Sequence, residues 1–382
     1  MVRQEDIIKT LIFLDIFDYP PTAMELWRFL GVRAELGEVI DSCHPREGGD
    51  PESEVTKLGS RGACPREGGG GNDSAFYFLP GREALVEKRR EFVYLSEKKF
   101  KIAKRAAGIL KFIPSIKMIA LCNNFYYSEE SDIDFLIITR PARLWLTRFF
   151  ATIILDILHL RARGKKTADR ICLSFYISEN NLNLEDVALS AEIDPSSGTR
   201  DDKKNIETDP CLPEAGLTHP VRAARPPLSR GDLDPSRGAQ DDKNDPCLAC
   251  WLAFMEPIYG YDTYEKFWQA NNLPDSWFKK IFPNAELRCP PQSRRVRDNM
   301  FSIIFKKIIG VFFLGDLGNL LEKTVENIQR LKLSARVKEL AAQDNTNVVL
   351  DERMLKFHEE DDRVNFREKL EKNYKLGIIN YK

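Results

Sequence analysis

Apolar residues in the first part of the chain recur at intervals of three and four, and this spacing predicts three short helices. The first spans residues 5–18 and ends before Pro20 and Pro21, because proline cannot continue a helix. The second opens at Thr22–Glu25, a capping sequence in which Thr and Glu each bond the other's backbone N–H. Its predicted buried side chains are Leu26, Trp27 and Leu30. The third helix spans residues 33–42.

A predicted strand follows these helices. Residues 75–79 are apolar and mostly aromatic, and the strand turns at Pro80 and Gly81. Three short helices followed by a strand pair resemble a winged helix, whose recognition helix enters a DNA groove. Here Arg33 is the only strong base on the third helix, and three acidic side chains oppose contact with phosphate: Glu35, Glu38 and Asp41. We therefore favour a packing or protein-contact module over a DNA regulator.

Residues 82–112 form a long, highly charged predicted helix, with five basic side chains clustered in its second half. These side chains are Lys98, Lys99, Lys101, Lys104 and Arg105. One interpretation is a solvated helix face, which is the usual role of such a run. The other is an electropositive wall for a triphosphate or RNA.

Two predicted strands lie in the most apolar part of the chain. Residues 117–122 form the first, a polar turn follows, and residues 132–139 form the second, which opens with Asp132 and Asp134. Because strand residues i and i+2 share a face, both carboxylates point to one side while the alternating residues enter the core. Two carboxylates this close repel each other unless a cation lies between them, and Mg²⁺ binds such oxygen ligands together with substrate phosphates. The alternative is a solvated strand start in which Asp132 caps a turn.

Two long stretches, residues 43–74 and 193–248, contain no Phe, Tyr or Trp. The first holds eight of the 22 glycines, and the second holds eight of the 21 prolines. The second also contains a near-repeat, since residues 193–203 match residues 233–243. Polar repeats of this kind cannot bury enough apolar surface to offset the entropy of ordering. We interpret both stretches as disordered insertions in surface loops, with a regulatory linker as the alternative.

These boundaries divide the rest of the chain into three predicted parts. Residues 1–81 form the winged-helix-like module, residues 82–192 an α/β core, and residues 249–382 a C-terminal helical domain. The helices predicted within the last part include residues 249–258 and 264–271. A long helix from Leu317 onwards carries one apolar stripe, which indicates a packing or dimerisation face: Leu321, Val325, Ile328 and Leu331.

Charge and composition narrow the possible partners. The chain has 57 Lys and Arg against 58 Asp and Glu, a net charge of -1, which does not indicate a protein that coats nucleic acid. No secretory pattern opens the sequence, and the most apolar segments, residues 144–160 and 302–314, carry charges that disfavour a membrane partner. Eight cysteines without regular spacing indicate reduced thiols. We therefore expect a cytoplasmic protein.

The segment Ser131-Asp-Ile-Asp-Phe135 resembles the metal-binding motif of the DNA polymerase beta-like nucleotidyltransferase superfamily. The surrounding order is similar too: a strand, a polar turn, this motif, a buried strand, a helix that residues 141–148 lead into, and a strand over 170–177. The resemblance covers most of the chain outside the two inserts. It implies an α/β (α+β) fold with a nucleotidyltransferase-type mixed sheet, beside the N-terminal winged-helix-like module and the C-terminal helical domain.

In this superfamily an Asp pair binds the metal ions, a Gly-Ser turn holds the nucleotide phosphates, and a third acid completes the site. By resemblance, Asp132 and Asp134 are the catalytic ligands of Mg²⁺. Asn123 and Asn124 stand at the Gly-Ser position, and with Ser131 they are the predicted nucleotide-binding residues.

The third acid is the main departure from the family pattern. The predicted strand over residues 171–177 presents Cys172, Ser174 and Tyr176 on one face and contains no carboxylate. Glu179 lies just beyond the strand end as a candidate substitute.

The resemblance therefore implies a metal-dependent nucleotidyltransferase, which moves a nucleoside monophosphate from ATP or another nucleoside triphosphate to an acceptor hydroxyl of unknown identity. The intact Asp pair favours this hypothesis. The alternative is a catalytically degenerate nucleotidyltransferase fold that acts as a nucleotide-binding or protein-interaction module. The Asn-Asn turn and the missing third acid favour that alternative.

Overall fold

A computed structural model describes residues 2–43, 59–62, 75–122, 128–164, 166–189, 243–287, 290–343, 347–358 and 363–380. Twelve α-helices lie within these ranges: α1 (Gln4–Asp15), α2 (Ala23–Arg28), α3 (Leu36–Cys43), α4 (Leu85–Leu110), α5 (Leu144–Ile157), α6 (Pro246–Phe254), α7 (Tyr261–Asn271), α8 (Trp277–Ile281), α9 (Met300–Leu314), α10 (Asp316–Lys332), α11 (Ala335–Ala342) and α12 (Arg363–Asn380). The same ranges contain eight strands: β1 (Gly59–Gly62), β2 (Ala75–Phe78), β3 (Ile116–Leu121), β4 (Ile133–Thr139), β5 (Ile171–Ser178), β6 (Glu256–Tyr259), β7 (Val348–Leu350) and β8 (Met354–Phe357).

Six of the strands form one mixed sheet in the order β6-β3-β4-β5-β8-β7. Strands β4 and β5 are parallel, and every other neighbouring pair in this sheet is antiparallel. The helix α5 connects the two parallel strands, as a parallel pair requires. The predicted α/β class is therefore confirmed, in the form of a six-stranded mixed sheet with helices.

Both faces of the central strand β4 are covered by apolar packing. Its residues alternate between two core clusters, with Leu136 and Ile138 in one and Phe135 and Ile137 in the other. The first cluster includes side chains of α1, α6, α7 and α8, and the second includes side chains of α4 and α5. A strand buried on both faces needs apolar residues at successive positions, which explains the continuous apolar run in the sequence.

The three predicted N-terminal helices are present as α1, α2 and α3. The capping sequence forms both of its bonds, since the Glu25 N–H donates to Thr22 Oγ1 at 3.3 Å and the Thr22 N–H donates to Glu25 Oε2 at 2.9 Å. Leu26 and Leu30 are fully buried, as predicted, and Trp27 is half-buried.

The strand pair beside these helices differs from the prediction. Strand β2 pairs antiparallel with β1, which lies inside the first aromatic-free stretch, and after Gly81 the chain enters α4. The prediction of disorder for residues 43–74 is therefore wrong for Gly59–Gly62. An antiparallel pair is held by backbone hydrogen bonds, so a short strand can form without an apolar pattern in its sequence.

The described residues that border the unplaced part of the second aromatic-free stretch lie side by side in the fold. Its described flanks are bonded together: the Asn244 N–H donates to the Leu189 carbonyl at 3.0 Å, and the Leu189 N–H donates to Asp245 Oδ2 at 3.2 Å. Asp245 also caps α6 and pairs with Arg363 at 2.7 Å. Residues 243–248 are thus part of the folded chain, and the predicted boundary at 248 is several residues too late. The rest of the stretch lies outside the described residues.

The C-terminal part is not purely helical, contrary to the prediction. Residues 249–258, predicted as one helix, divide between α6 and β6, and β6 pairs with β3. Strands β7 and β8 also join the sheet, next to β5. These strands have three or four residues each, which is too short for an alternating pattern to distinguish them from loops. The helix predicted over 264–271 is present as α7.

Within the ranges given above, none of the helices combines the length and the apolar character needed to cross a membrane.

The bonded flanks of the second stretch lead to a test of the insertion hypothesis. Replacing residues 191–242 with a short Gly-Ser linker should change the melting temperature by less than about 2 °C, because Leu189 and Asn244 already lie side by side and closing a loop costs little. Thermal unfolding followed by circular dichroism measures the effect. A loss of cooperative unfolding would contradict the insertion hypothesis and favour a structural role for the stretch.

Candidate metal site

Three potential metal ligands meet where the two parallel strands of the sheet begin. Asp132 directly precedes β4, Asp134 is its second residue, and Cys172 is the second residue of β5. Asp134 and Cys172 stand opposite each other in the register of the two strands. One ligand atom from each residue lies within 4.8 Å of the others, and all three residues are half-buried. We call these residues the Asp-Asp-Cys cluster.

The predicted orientation of the two carboxylates is confirmed. Ile133 and Phe135, the residues that alternate with them, are buried to within 1 % of full burial and pack against the α4 and α5 side of the sheet. Asp132 and Asp134 therefore share the other face. The same alternation places Cys172 on their face, because its neighbours Ile171 and Leu173 pack on the α4 and α5 side.

Burial raises the pKa of two members of the cluster. Desolvation raises the pKa of Asp132, although a hydrogen bond from Cys172 and the charge of Lys99 act in the opposite direction. The fold therefore disfavours the ionised form of Asp132: its contribution to stability is largest at acidic pH and falls as pH rises through the raised pKa. Desolvation and the negative charge of Asp134 raise the pKa of the Cys172 thiol, which is neutral at physiological pH. A bound cation would relieve the cost of the buried carboxylate charge.

A buried lysine fixes the loop that carries Asp132. Lys99 lies in α4, its side chain has no exposed surface, and its ammonium donates to the Ser131 carbonyl at 2.6 Å and to Asp169 Oδ1 at 3.1 Å. Asp169 lies two residues before β5, so a single ammonium group ties together the chain segments that lead into both strands. Desolvation alone would raise the pKa of Asp169, but bonds from Lys98 and Lys99 hold it below its usual value.

Further hydrogen bonds join the same two segments. The Ile133 N–H donates to the Arg170 carbonyl at 2.8 Å, and the Asp169 N–H donates to the Ser131 carbonyl at 3.3 Å. The Thr167 hydroxyl donates to the Glu130 carbonyl at 3.1 Å. The relative positions of Asp132 and Cys172 are thus set by direct contacts between the two strand starts.

Of the three predicted nucleotide-binding residues, the structure describes only Ser131. Ser131 lies next to the cluster, where its hydroxyl donates to the Ser128 carbonyl at 3.0 Å and accepts from the Ser128 N–H at 3.2 Å. This hydroxyl therefore closes a local turn, and its role towards a nucleotide stays a prediction. Asn123 and Asn124 lie outside the described residues.

Glu179 is not the third acid of this site. It follows the far end of β5, roughly 20 Å along the strand from Cys172, and its carboxylate pairs with Lys117 at 3.4 Å. Among the residues that the structure places, the cluster contains no third carboxylate, and the third ligand position is taken by Cys172.

The prediction that Tyr176 shares a face with Cys172 is wrong. Asp134 pairs with Cys172 but Leu136 pairs with Phe175, so β5 contains one more residue than β4 over this interval. Such a bulge shifts the alternation of side chains. Tyr176 consequently packs into the core on the α4 and α5 side, away from the cluster.

The basic run of α4 is largely engaged within the protein. Lys99 is buried, Lys98 pairs with Asp169 at 2.6 Å, and Lys104 donates to the Ser293 carbonyl. Lys101 and Arg105 are exposed. These contacts favour neither a fully solvated face nor an open electropositive wall.

Both interpretations of the basic run, a solvated face and an electropositive wall, placed Lys99 on the surface and so missed its role. A signal was present, because Leu95, Lys99 and Ala103 follow each other at four-residue spacing and all three are buried. A lysine in the apolar stripe of a helix indicates a buried partner, since a charge leaves water only when it is paired.

Comparison of the chain with protein-family models, with curated proteins and with solved structures gave no match. The function is therefore argued from the cluster and its surroundings.

Two adjacent lysines offer a matched test of the anchor. Lys99→Met should lower the free energy of unfolding by about 3 kcal/mol, because it removes the buried ammonium group that the Ser131 carbonyl and Asp169 share. Lys98→Met removes an ion pair to the same Asp169 from a side chain that is 45 % exposed, and should have a much smaller effect, because solvent screens such a pair. Chemical denaturation measures both values. Equal effects of the two substitutions would contradict the anchoring role of Lys99.

Proposed function

We propose that this protein is a metal-dependent nucleotidyltransferase of the DNA polymerase beta-like kind, which transfers a nucleoside monophosphate from ATP or another nucleoside triphosphate to an acceptor hydroxyl. The observation that carries the proposal is the same-face pair Asp132 and Asp134 at the start of a central strand, held in place by a buried lysine. The order of elements around the pair supports it. Strand β3, the turn, β4, α5 and β5 follow each other as in that superfamily.

The two carboxylates of the cluster suit a hard divalent cation better than the thiol does. Two carboxylates fit Mg²⁺, which binds proteins through one or two carboxylates plus substrate phosphates. A neutral thiol is a poor ligand for Mg²⁺ and suits softer ions. Asp132 and Asp134 would therefore hold the ion, and Cys172 would lie beside it.

A bound ion would neutralise charge on the triphosphate during transfer. The chain itself would hold the carboxylates in the geometry for binding. The Lys99 anchor and the loop hydrogen bonds fix Asp132 relative to β5. The carboxylates would therefore need little rearrangement when a ligand binds. The N-terminal helices with β1 and β2 would form a winged-helix-like module beside this core.

Among the described residues of the cluster, none is a third carboxylate that could accept the proton of the acceptor hydroxyl. A third carboxylate would normally accept it, and Cys172 stands in that place as a neutral thiol. We therefore expect transfer by this protein to be slow compared with a site that has three acids.

Cys172 also favours the second candidate function, a degenerate nucleotidyltransferase fold that binds a nucleotide or a protein without transfer. In that case the Asp pair would still bind a metal-nucleotide complex, but no nucleoside monophosphate would be moved.

Calorimetric titration of ATP with and without Mg²⁺ distinguishes these functions when it is combined with an assay for pyrophosphate release. Wild-type protein should bind ATP only with Mg²⁺, and Asp132→Asn/Asp134→Asn should lose about tenfold or more in affinity, because both oxygen ligands are weakened. Glu179→Gln is the control, since this acid lies at the far end of β5.

Magnesium-dependent binding with pyrophosphate release would support the transferase, whereas binding without release across a range of acceptors would favour the binding module. Binding that persists unchanged in the double variant would contradict both.

Restoring an acid at the third position gives a gain-of-function prediction. Cys172→Asp should raise Mg²⁺-dependent ATP affinity by about tenfold, because a third hard oxygen ligand replaces a neutral thiol. Cys172→Ser is the control, since it removes the thiol without adding a charge. The account of the third position is wrong if Cys172→Asp and Cys172→Ser bind Mg²⁺ and ATP equally.

A further inference from the structure

Helix α9 turns an apolar side towards solvent. Five of its side chains are between 48 % and 75 % exposed: Met300, Phe301, Ile304, Ile308 and Val311. Ile303 and Phe305 extend the same side, at 43 % and 37 % exposed. Apolar residues on a surface helix normally face the core, so this arrangement is the reverse of the usual one.

Specific contacts hold the opposite side of α9 against the protein. Lys306 donates to the Tyr259 hydroxyl of β6 and to Asp298 Oδ1, and Arg143 Nε donates to the Phe313 carbonyl at 2.6 Å. Asn299 and Ser302 form a reciprocal cap at the start of the helix. These polar contacts fix the rotation of α9 about its axis, so its apolar side is presented outward by the fold.

The exposed side chains follow the spacing of a helix-pairing seam. Phe301, Ile304, Ile308 and Val311 are separated by three, four and three residues, which is the pattern by which two helices pack side by side. Lys307 is the single exposed charged residue in α9. Another helix with the same stripe would be complementary to this one.

The size of the apolar surface matches what a stable dimer requires. The seven side chains together leave roughly 700 Å² exposed, judged from their exposed fractions and the area of large side chains. The largest apolar patch on a typical monomer is about 300–600 Å², and a standard interface buries about 800 Å² per partner. We propose that α9 is the dimerisation helix of this protein, packing against α9 of a second copy about a two-fold axis.

Long unplaced stretches of the chain are unsuited to cover this surface. The two long ones, within residues 43–74 and 193–248, contain no Phe, Tyr or Trp and are dominated by polar residues. A membrane surface is also disfavoured, because helices that bind membranes carry several Lys or Arg along their polar face, whereas α9 exposes Lys307 alone and directs Lys306 inward to Asp298. A two-fold interface needs only one self-complementary patch.

The apolar stripe of α10 is a weaker candidate for the interface than that of α9. The stripe predicted from sequence divides in the structure, since Val325 is buried against the core while Ile328 and Leu331 are 41 % and 78 % exposed. A packing face is thus confirmed for Val325. Dimerisation is assigned to the neighbouring helix α9.

The test is the molar mass of the full chain in solution, measured by light scattering after size-exclusion chromatography over a micromolar dilution series. Wild-type protein should be a dimer, and Ile304→Glu/Ile308→Glu should be a monomer with an unchanged circular dichroism spectrum. Met300→Glu/Val311→Glu, at the two most exposed of the apolar positions described for α9, provides a second variant with little effect on folding.

Tyr94→Glu is the matched control and should leave the dimer intact. Tyr94 is 71 % exposed on α4. It lies roughly 27 Å from Phe112 along the axis of that helix. The Phe112 ring contacts Phe301 and Phe305 of α9, so Tyr94 is far from the proposed interface. A monomeric wild-type protein would overturn the proposal, as would a dimer that survives both α9 variants. Sedimentation with vesicles of phosphatidylcholine and phosphatidylglycerol by a monomeric wild type would assign the surface to membranes instead.

Discussion

The position of the candidate site depends on one buried ammonium group. Lys99 reaches from α4 to the Ser131 carbonyl and to Asp169, and these two partners precede the strands that carry Asp134 and Cys172. Because a buried charge without a partner is costly, the fold stabilises one arrangement of these segments over the alternatives. The geometry of the Asp-Asp-Cys cluster follows from this contact and from the parallel register of β4 and β5.

The ionised Asp132 carboxylate lowers the stability of the folded protein. Desolvation raises the pKa of Asp132, so the ionised carboxylate that a cation requires is the form that the fold disfavours. Sites that bind metal commonly hold such unfavourable charge, because the ion recovers the free energy when it binds. The neutral Cys172 thiol limits how much negative charge the cluster gathers, which would weaken its attraction for a hard cation such as Mg²⁺.

Local sequence signals predicted local structure well. The capping pair Thr22 and Glu25, the long helix α4 and the orientation of Asp132 and Asp134 all depend on residues within a few positions of each other. Contacts between distant residues were missed, because Lys99 meets partners 32 and 70 positions away and nothing in either segment specifies the other. The strands β6, β7 and β8 were missed since they are only three or four residues long, and the bulge in β5 that turns Tyr176 to the opposite face leaves no mark in the sequence pattern.

The central claim is that Asp132 and Asp134 together form a divalent-cation site. Electron paramagnetic resonance with Mn²⁺, which takes the same oxygen ligands as Mg²⁺, measures this without assuming a nucleotide or an acceptor, because bound Mn²⁺ loses the sharp signal of the free ion. The account predicts that wild-type protein removes about one equivalent of free Mn²⁺ signal and that Asp132→Asn/Asp134→Asn removes none. Equal signal loss by both proteins, or no loss by the wild type, would contradict it.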